Sequence, residues 1–317
     1  NEFGIYSQSE NPLPPTFRTL AERLKEAGYS TAGFVAVGFM RDSWTGLGQG
    51  FDTFVECPVG TLDGEYIVNS AIDWLADRHG ERFFMWIHLY DCHVPYHPPG
   101  PFKERFIEAE KVYKPHLGRS VLPKGNDEMT FERLNRDYYS DRYDGGVAYT
   151  DYQVGRIVSN LELLGLLDNT LIVIAADHGE CLGEHSIYFA HVSLYEPNTH
   201  VPLIFSWPGH VPAGKRFSEM CENVDIYPTI LDLLGVEIQG RLSGRSLVQV
   251  WRGESRGREG VITEHSEHLA VSWRTSKWTY LYQPVTEESV RKRLPAGWMT
   301  GPPGEWVRRA KREELYD

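Results

Sequence analysis

The residue types best suited to chemistry are concentrated between residues 177 and 191. Asp177 and His178 are adjacent, and two glutamates and two more histidines follow within fifteen residues, at positions 180, 184, 185 and 191. A carboxylate oxygen beside an imidazole nitrogen supplies half of a divalent-metal site. An isolated Asp-His pair would more often cap a turn and bond to the backbone, but the density of acids and histidines here favours a metal. We therefore predict Asp177 and His178 as metal ligands.

A second polar group, Asp91 and His93, lies in a proline-rich stretch. Prolines at positions 95, 98 and 99 exclude both a helix and an inner strand, so these residues stand on a rigid loop. Taken alone, the position of His93 fits a histidine at the rim almost as well as a functional histidine. That of His191 fits a hydrogen-bonded loop histidine about as well as a functional one. His88 is predicted to lie in the core and His97 to be exposed.

Both polar groups follow apolar runs that are typical of buried strands. Residues 170–176 and 82–89 are continuous apolar stretches, and the first is rich in β-branched residues. The run at 82–89 predicts a central strand, and residues 201–207 predict another buried strand. Functional groups gather at the carboxyl ends of the strands in open α/β sheets, so we expect Asp91, His93 and Asp177 at one sheet edge.

The remaining elements alternate between helices and strands. Thr16 is the predicted N-cap of a helix over 17–27, Asp225 that of a helix closed by Gly235, and the pair Gly145-Gly146 indicates close packing or a break in a long helix. The other predictions are a strand at 30–37, helices at 67–80 and 137–164, and short strands at 261–263, 269–275 and 278–282.

This order predicts an α/β protein with a mostly parallel central sheet and helices on both faces. We assign residues 1–240 to that catalytic domain and residues 241–317 to a small C-terminal antiparallel β subdomain. Residues 101–136 are charged and weakly periodic, and we interpret them as an insertion that covers the site as a substrate lid.

Composition narrows the partners. The net charge of −12 opposes nucleic-acid binding, whereas a metal and a few cations still permit a small anionic substrate. No apolar run approaches the ~20 residues that span a bilayer. Four cysteines without CxxC spacing are interpreted as free thiols, which favours a reducing, cytoplasmic compartment. The oligomeric state does not follow from the sequence.

In combination, the motifs resemble the distal active-site half of the sulfatases, which belong to the alkaline-phosphatase superfamily. These motifs are Asp-His-Gly-Glu at 177–180, Leu-Gly-Glu-His at 182–185, His191 ahead of Leu-Tyr-Glu at 194–196, and Val-Pro-Leu-Ile at 201–204. The resemblance extends from residue 13 to residue 317. It implies an alkaline-phosphatase-like fold and the metal-dependent hydrolysis of sulfate esters.

The resemblance also implies roles for single residues. Asp177 matches a metal-binding Asp, and His178 stands at the next position, which is Asn or His in the family. His93 resembles the histidine that contacts the ester group or protonates the leaving group, and His191 falls where a Lys or His contacts the same anion. Glu184 and His185 are interpreted as supporting groups. One divalent ion is expected, Ca²⁺ first, with Mg²⁺, Mn²⁺ or Zn²⁺ as alternatives.

Two departures from the family pattern keep alternatives open. The nucleophile motif, (Cys or Ser)xPxR, which yields formylglycine in sulfatases, does not occur, since the run at 57–61 has the wrong spacing and no Arg. We therefore expect the sequence to be an inactive piece of a longer enzyme. Ala36 and Gly38 stand where many sulfatases carry a LysxHis pair. The alternatives are a phosphodiester or phosphonate monoester hydrolase, and an inactive binding module.

Overall fold

The computed structural model describes residues 12–58, 64–107, 136–191, 193–238, 240–265, 270–282 and 313–316. The helices are α1 (Leu20–Glu26), α2 (Asp42–Thr45), α3 (Gly64–Asp77), α4 (Arg136–Leu163), α5 (Glu196–Thr199), α6 (Ile226–Leu233) and α7 (Val248–Trp251). The strands are β1 (Ser30–Val35), β2 (Thr53–Glu56), β3 (Phe83–His88), β4 (Ile172–Ala175), β5 (Cys181–Leu182), β6 (Tyr188–Ala190), β7 (Leu203–Ser206), β8 (Gly260–His265), β9 (Ala270–Thr275), β10 (Thr279–Tyr282) and β11 (Glu313–Tyr316).

The chain forms two compact units. Among the described residues, the N-terminal unit comprises those from 12 to 171 and His185–Phe189, and the C-terminal unit comprises Ile172–Glu184 and those from 190 to 316. The proposed boundary near residue 240 stays a prediction. Most of the predicted lid at 101–136 lies outside the described residues.

A parallel three-stranded sheet forms the centre of the N-terminal unit. Its strand order is β2-β1-β3, and Phe34 of β1 lies between Val55 of β2 and Ile87 of β3. The predicted strands at 30–37 and 82–89 are confirmed. In the sheet that the described residues form, the central position predicted for the second of them is wrong, because β1 takes the middle and β3 an edge. An apolar run reports burial and does not identify the neighbours of a strand.

The two faces of β3 pack differently. On one face, Met85 and Ile87 pack on a core that includes Ile67 and Trp74 of α3. On the other, Trp86 stacks on Phe51 with ring centroids 6.2 Å apart. The helix predicted at 67–80 is confirmed as α3, and its apolar stripe covers the sheet.

The first helix begins later than predicted. Thr19, and not Thr16, is the N-cap of α1: its hydroxyl accepts the N–H of Glu22 at 3.1 Å, while the Glu22 carboxylate accepts the N–H of Thr19 at 2.8 Å. This reciprocal capping box satisfies two backbone donors. Thr16 cannot form such a box, because no Glu or Gln follows it three residues later.

The long helix predicted at 137–164 is confirmed as α4, and it runs unbroken through Gly145 and Gly146. A Cβ on Gly146 would lie 2.7 Å from the carbonyl oxygen of Asp91, and one on Gly145 would clash with the carbonyl oxygen of Phe102. Close packing therefore explains the glycine pair. The backbone that carries His93 approaches α4 at this point.

The C-terminal unit contains a two-stranded antiparallel sheet in which Ile174 of β4 pairs with Ile204 of β7. Both predicted strands are present, but neither is fully buried: the residues of β4 are half-buried or exposed, and Ile204 is 51% exposed. The described elements that pack on this sheet leave residues of both strands exposed. The prediction of burial on both faces is wrong for this part of the fold.

The helix predicted after Asp225 is confirmed as α6, but the Asp225 side chain does not cap it. The carboxylate is fully buried and accepts hydrogen bonds from the Arg258 guanidinium, from Nε at 3.2 Å and from Nη2, and from the N–H of Arg245 at 2.8 Å. This bond to Asp225 raises the pKa of Arg258. The pair connects α6 to the segment before β8.

The three short strands predicted after residue 260 are confirmed as β8, β9 and β10. They form an antiparallel sheet with β11 in the order β11-β10-β9-β8. None of the helices in the described ranges is long and apolar enough to cross a membrane. None of the four cysteines forms a disulfide bond.

Candidate active site

Asp177 and His178 follow β4 after one intervening residue and direct polar atoms toward each other. The side chain of Asp177 is 84% exposed, and its Oδ1 accepts the backbone N–H of His178 at 3.0 Å. Its other oxygen, Oδ2, lies 3.7 Å from Nε2 of His178. The predicted pair therefore presents one carboxylate oxygen and one imidazole nitrogen to the same space.

The backbone sets the tautomer of His178. Its Nδ1 lies 3.0 Å from the carbonyl oxygen of Gly179, and because a carbonyl only accepts, Nδ1 carries the hydrogen in this bond. In the neutral ring, Nε2 then holds a lone pair beside Asp177. A backbone carbonyl that fixes the tautomer in this way is the usual support for a metal-binding histidine.

The pair fits a divalent cation as part of a ligand set. Metal bonds of ~2.0–2.6 Å place neighbouring ligand atoms roughly 3–4 Å apart, which matches the 3.7 Å between Asp177 Oδ2 and His178 Nε2. Within the described ranges, no third Cys, His, Asp or Glu joins them to form a metal cluster. The two residues are therefore suited to supply two ligands of a larger set.

His191 joins this pair although it lies thirteen residues after His178. The two imidazole rings stack with centroids 4.2 Å apart and planes 24° apart. Nδ1 of His191 is 3.4 Å from Oε1 of Glu180, an ion-pair distance, and the side chain of Glu180 is only 5% exposed. Glu180 thus places a buried carboxylate beside the predicted anion contact.

Sequence reasoning assigned no role to Glu180. The available signal was the Asp-His-Gly-Glu run itself, which places an acid two residues after a metal-ligand candidate. Glu184, predicted as a supporting group, accepts the backbone N–H of Leu182 at 2.7 Å and so orders the loop. His185 is exposed, lies in the N-terminal unit and has a left-handed φ of 53°.

A buried polar network lies beneath the same loop. Asn198 of α5 accepts hydrogen bonds from Cys181 at 2.7 Å and from Ser193 at 2.6 Å, and its amide nitrogen is 3.3 Å from the carbonyl oxygens of Gly179 and Ala190. Burial raises the pKa of the Cys181 thiol to about 11. The thiol is therefore protonated at neutral pH and acts as a donor, not as a nucleophile.

His93 occupies a half-buried position after β3 in the N-terminal unit. Its ring stacks on Tyr90 with centroids 4.2 Å apart, and Nδ1 lies 2.7 Å from the carbonyl oxygen of Val94. Nδ1 therefore carries a hydrogen in this contact. Nε2 is the atom that would carry a transferable proton.

Arg142 of α4 anchors the loop that follows His93. The Nε of this buried residue donates to the carbonyl oxygen of Tyr96 at 2.9 Å, and its Nη2 lies 2.7 Å from Nδ1 of His97. His97 is exposed, as predicted, yet its ring accepts this bond. No sequence pattern indicates that Arg142, 45 residues away, reaches this loop.

His93 and the pair Asp177-His178 belong to different units. The structure brings Asp177, His178 and His191 together in the C-terminal unit. The expectation that His93 shares a site with them stays a prediction.

Comparison with solved structures defines the class of fold. The structure of BT4656 in complex with its substrate D-glucosamine-2-N,6-O-disulfate matches with a TM-score of 0.73 and 20% identity, over 100% of this chain and 78% of that chain. The phosphonate monoester hydrolase SpPMH from Silicibacter pomeroyi matches with a TM-score of 0.71 and 20% identity, over 87% and 74% of the two chains. The predicted α/β, alkaline-phosphatase-like fold is confirmed.

The family follows from the sequence comparisons. The sulfatase family profile matches residues 1–236, and the chain belongs to the sulfatase family. An N-acetylglucosamine-6-O-sulfatase of Bacteroides thetaiotaomicron is 33% identical over 162 residues, which is 51% of this chain and 26% of that protein. An arylsulfatase of Clostridium perfringens is 26% identical over 262 residues, which is 75% of this chain and 52% of that protein. The chain thus spans between a quarter and about half of the length of these two relatives.

Proposed function

We propose that the protein carrying this chain hydrolyses sulfate esters in a metal-dependent reaction. The observation that carries the proposal is the cluster of Asp177, His178 and His191, in which His178 pairs with Asp177 and stacks on the candidate anion contact His191. Membership of the sulfatase family supports sulfate as the transferred group. The substrate is then a small anionic ester.

A divalent ion held by Asp177 and His178 would supply positive charge for the ester anion and for the nucleophile. Ca²⁺ suits the carboxylate, and the imidazole permits Mn²⁺ or Zn²⁺, with Mg²⁺ as a further alternative. Because the carbonyl of Gly179 holds the hydrogen on Nδ1 of His178, Nε2 is the ring nitrogen that would bind the ion.

The histidines have separable tasks in this proposal. His191, oriented by the carboxylate of Glu180, contacts the anionic oxygens of the ester and stabilises their charge. His93 protonates the leaving oxygen through Nε2, the nitrogen that is not bonded to Val94. The nucleophile is not assigned, because Cys57 is buried and lacks the family motif.

One observation favours a second candidate, the hydrolysis of phosphonate monoesters. Ala36 and Gly38 follow β1 and provide no cation where many sulfatases carry a LysxHis pair. The similarity of the fold to a phosphonate monoester hydrolase is compatible with this alternative. A third candidate is a binding module without turnover.

A panel of nitrophenyl esters separates these candidates. The full-length protein, loaded with Ca²⁺ or Mn²⁺, is assayed with nitrophenyl sulfate, nitrophenyl phenylphosphonate and bis-nitrophenyl phosphate, which share one leaving group. We expect the highest kcat/KM for the sulfate. A higher kcat/KM for the phosphonate or the diester would overturn the sulfatase proposal, and binding without turnover of any ester would favour the binding module.

A further inference from the structure

Asn198 is the buried polar residue on which the loop between His178 and His191 converges. Its side chain is 4% exposed, and its carboxamide has two acceptor and two donor positions. Cys181 and Ser193 donate to Oδ1, while Nδ2 lies 3.3 Å from the carbonyl oxygens of Gly179 and Ala190. All four positions are therefore used.

The partners fix the orientation of the amide. The carbonyl oxygens of Gly179 and Ala190 can only accept, so the NH₂ group must face them. The thiol of Cys181 and the hydroxyl of Ser193 can donate, which suits the oxygen side. In the reversed orientation, Oδ1 would face two carbonyl oxygens that cannot donate to it. The hydrogen bonds from Cys181 and Ser193 to Oδ1 would also be lost.

The two carbonyls adjoin the two stacked histidines. Gly179 is the residue after His178, and Ala190 is the residue before His191. One NH₂ group therefore joins two chain segments that are eleven residues apart in sequence, each next to one of the rings. The backbone N–H of Gly179 also donates to the carbonyl oxygen of Asn198 at 2.8 Å, which fixes the same segment a second time.

The carbonyl of Gly179 has a double task. It accepts from Nδ1 of His178 at 3.0 Å and from Nδ2 of Asn198 at 3.3 Å, one bond for each lone pair. A Cβ on Gly179 would clash with the carbonyl oxygen of Pro197, so this segment lies directly against α5. A shift of the carbonyl would move the ring of His178 with it.

We propose that Asn198 is a positioning residue of this site. Its carboxamide holds His178 through the carbonyl of Gly179 and His191 through the carbonyl of Ala190, and so sets the separation of the two rings. The catalytic consequence rests on the proposed function, whereas the geometric claim does not.

The stack itself provides a readout that is independent of turnover. Stacked rings shift each other's proton resonances, so the imidazole protons of His178 should show a ring-current shift that disappears in His191→Ala, which serves as the reference. Asn198→Asp keeps the volume and the two acceptor contacts but removes the NH₂ donors. We expect it to lose most of this shift in the imidazole NMR spectrum while the protein stays folded, and to lower kcat/KM by ~10–100-fold, the usual size of the effect of a supporting group.

Ser193→Ala is the matched control, because it removes one acceptor contact of Asn198 and leaves the bonds to Gly179 and Ala190. It should keep the ring-current shift. If Asn198→Asp does not fold, Asn198→Ala carries the same prediction. An unchanged ring-current shift in the folded Asn198 variant, or an equal loss in Ser193→Ala, would overturn the proposal. Failure of both Asn198 variants to fold would also overturn it, because Asn198 would then serve the fold alone.

The two proposals can fail separately. If the wild-type protein hydrolyses no sulfate ester but Asn198→Asp loses the ring-current shift of His178, the positioning claim stands and the proposed reaction is rejected. Full sulfatase activity together with an unchanged shift in that variant would do the reverse.

Discussion

The imidazole rings of His178 and His191 stack 4.2 Å apart, with their planes inclined by 24°. One ring belongs to the predicted metal pair and the other is the predicted anion contact. Their contact makes the two roles neighbours in space although thirteen residues separate them in sequence.

His191→Ala should weaken turnover of all esters alike, because the ring is assigned to the anion and not to the departing oxygen. A hydrogen bond to a charged group contributes about 1.5–3 kcal/mol, so kcat/KM should fall by ~10–100-fold. The measurement is kcat/KM for an aryl and an alkyl sulfate. His200→Ala, which removes an exposed histidine paired with Glu196, is the control and should change little. A loss confined to the alkyl ester would contradict the assignment.

His93→Ala should discriminate between leaving groups. A general acid contributes ~10²–10⁴-fold when the leaving oxygen is basic, and far less when the leaving group is nitrophenolate, which hardly needs a proton. Turnover of the alkyl and the nitrophenyl ester is compared. His79→Ala, on an exposed ring at the end of α3, is the control. Equal losses on both esters would remove the acid role and leave only anion binding.

The glycines of α4 provide a test of packing against the loop that carries His93. Gly146→Ala gains helix propensity of about 1 kcal/mol but places a Cβ 2.7 Å from the carbonyl oxygen of Asp91. Overpacking costs about 1–3 kcal/mol, so the net free energy of unfolding should fall. Gly155→Ala, in the same helix with nothing within 4 Å, should raise it by up to about 1 kcal/mol. Urea unfolding measures both, and equal changes would contradict this packing.

The buried ion pair of Arg258 and Asp225 should contribute more to the free energy of unfolding than the exposed ion pair of Arg274 and Glu196. Arg258→Met leaves the fully buried carboxylate of Asp225 without its guanidinium, which costs about 3–5 kcal/mol. Arg274→Met breaks an ion pair with Glu196, whose side chain is 57% exposed, and should cost at most about 1 kcal/mol. Similar losses of unfolding free energy in the two variants would contradict this ranking.

Much of the fold could be predicted from local patterns. The apolar runs of β1 and β3 and the periodic faces of α3 and α4 identify these elements, because each pattern is contained in its own segment. The edge position of β3 was missed, since its partner β1 lies some fifty residues earlier in the chain.

The candidate site likewise combines a contact that could be predicted from the sequence with one that could not. Asp177 and His178 are adjacent in sequence, so their pairing was predictable. The stack on His191 depends on Asn198, which closes the loop from outside it, and a single Asn in a helix gives no sign of that contact. The partner of Asp225 was missed in the same way: Arg258 lies 33 residues away, so the local pattern indicated only a helix cap.

The most direct test of the account is the metal content of Asp177→Ala. The exposed carboxylate should be dispensable for folding, so the variant should unfold like the wild type. It should lose its divalent ion, and its turnover should fall by more than the ~10–100-fold expected for a supporting residue. Asp168→Ala, an exposed Asp of the N-terminal unit, is the control and should keep both. We predict that mass spectrometry finds the metal in the wild type and in Asp168→Ala but not in Asp177→Ala. Wild-type metal stoichiometry in Asp177→Ala would contradict the ligand assignment and, with it, the proposed site.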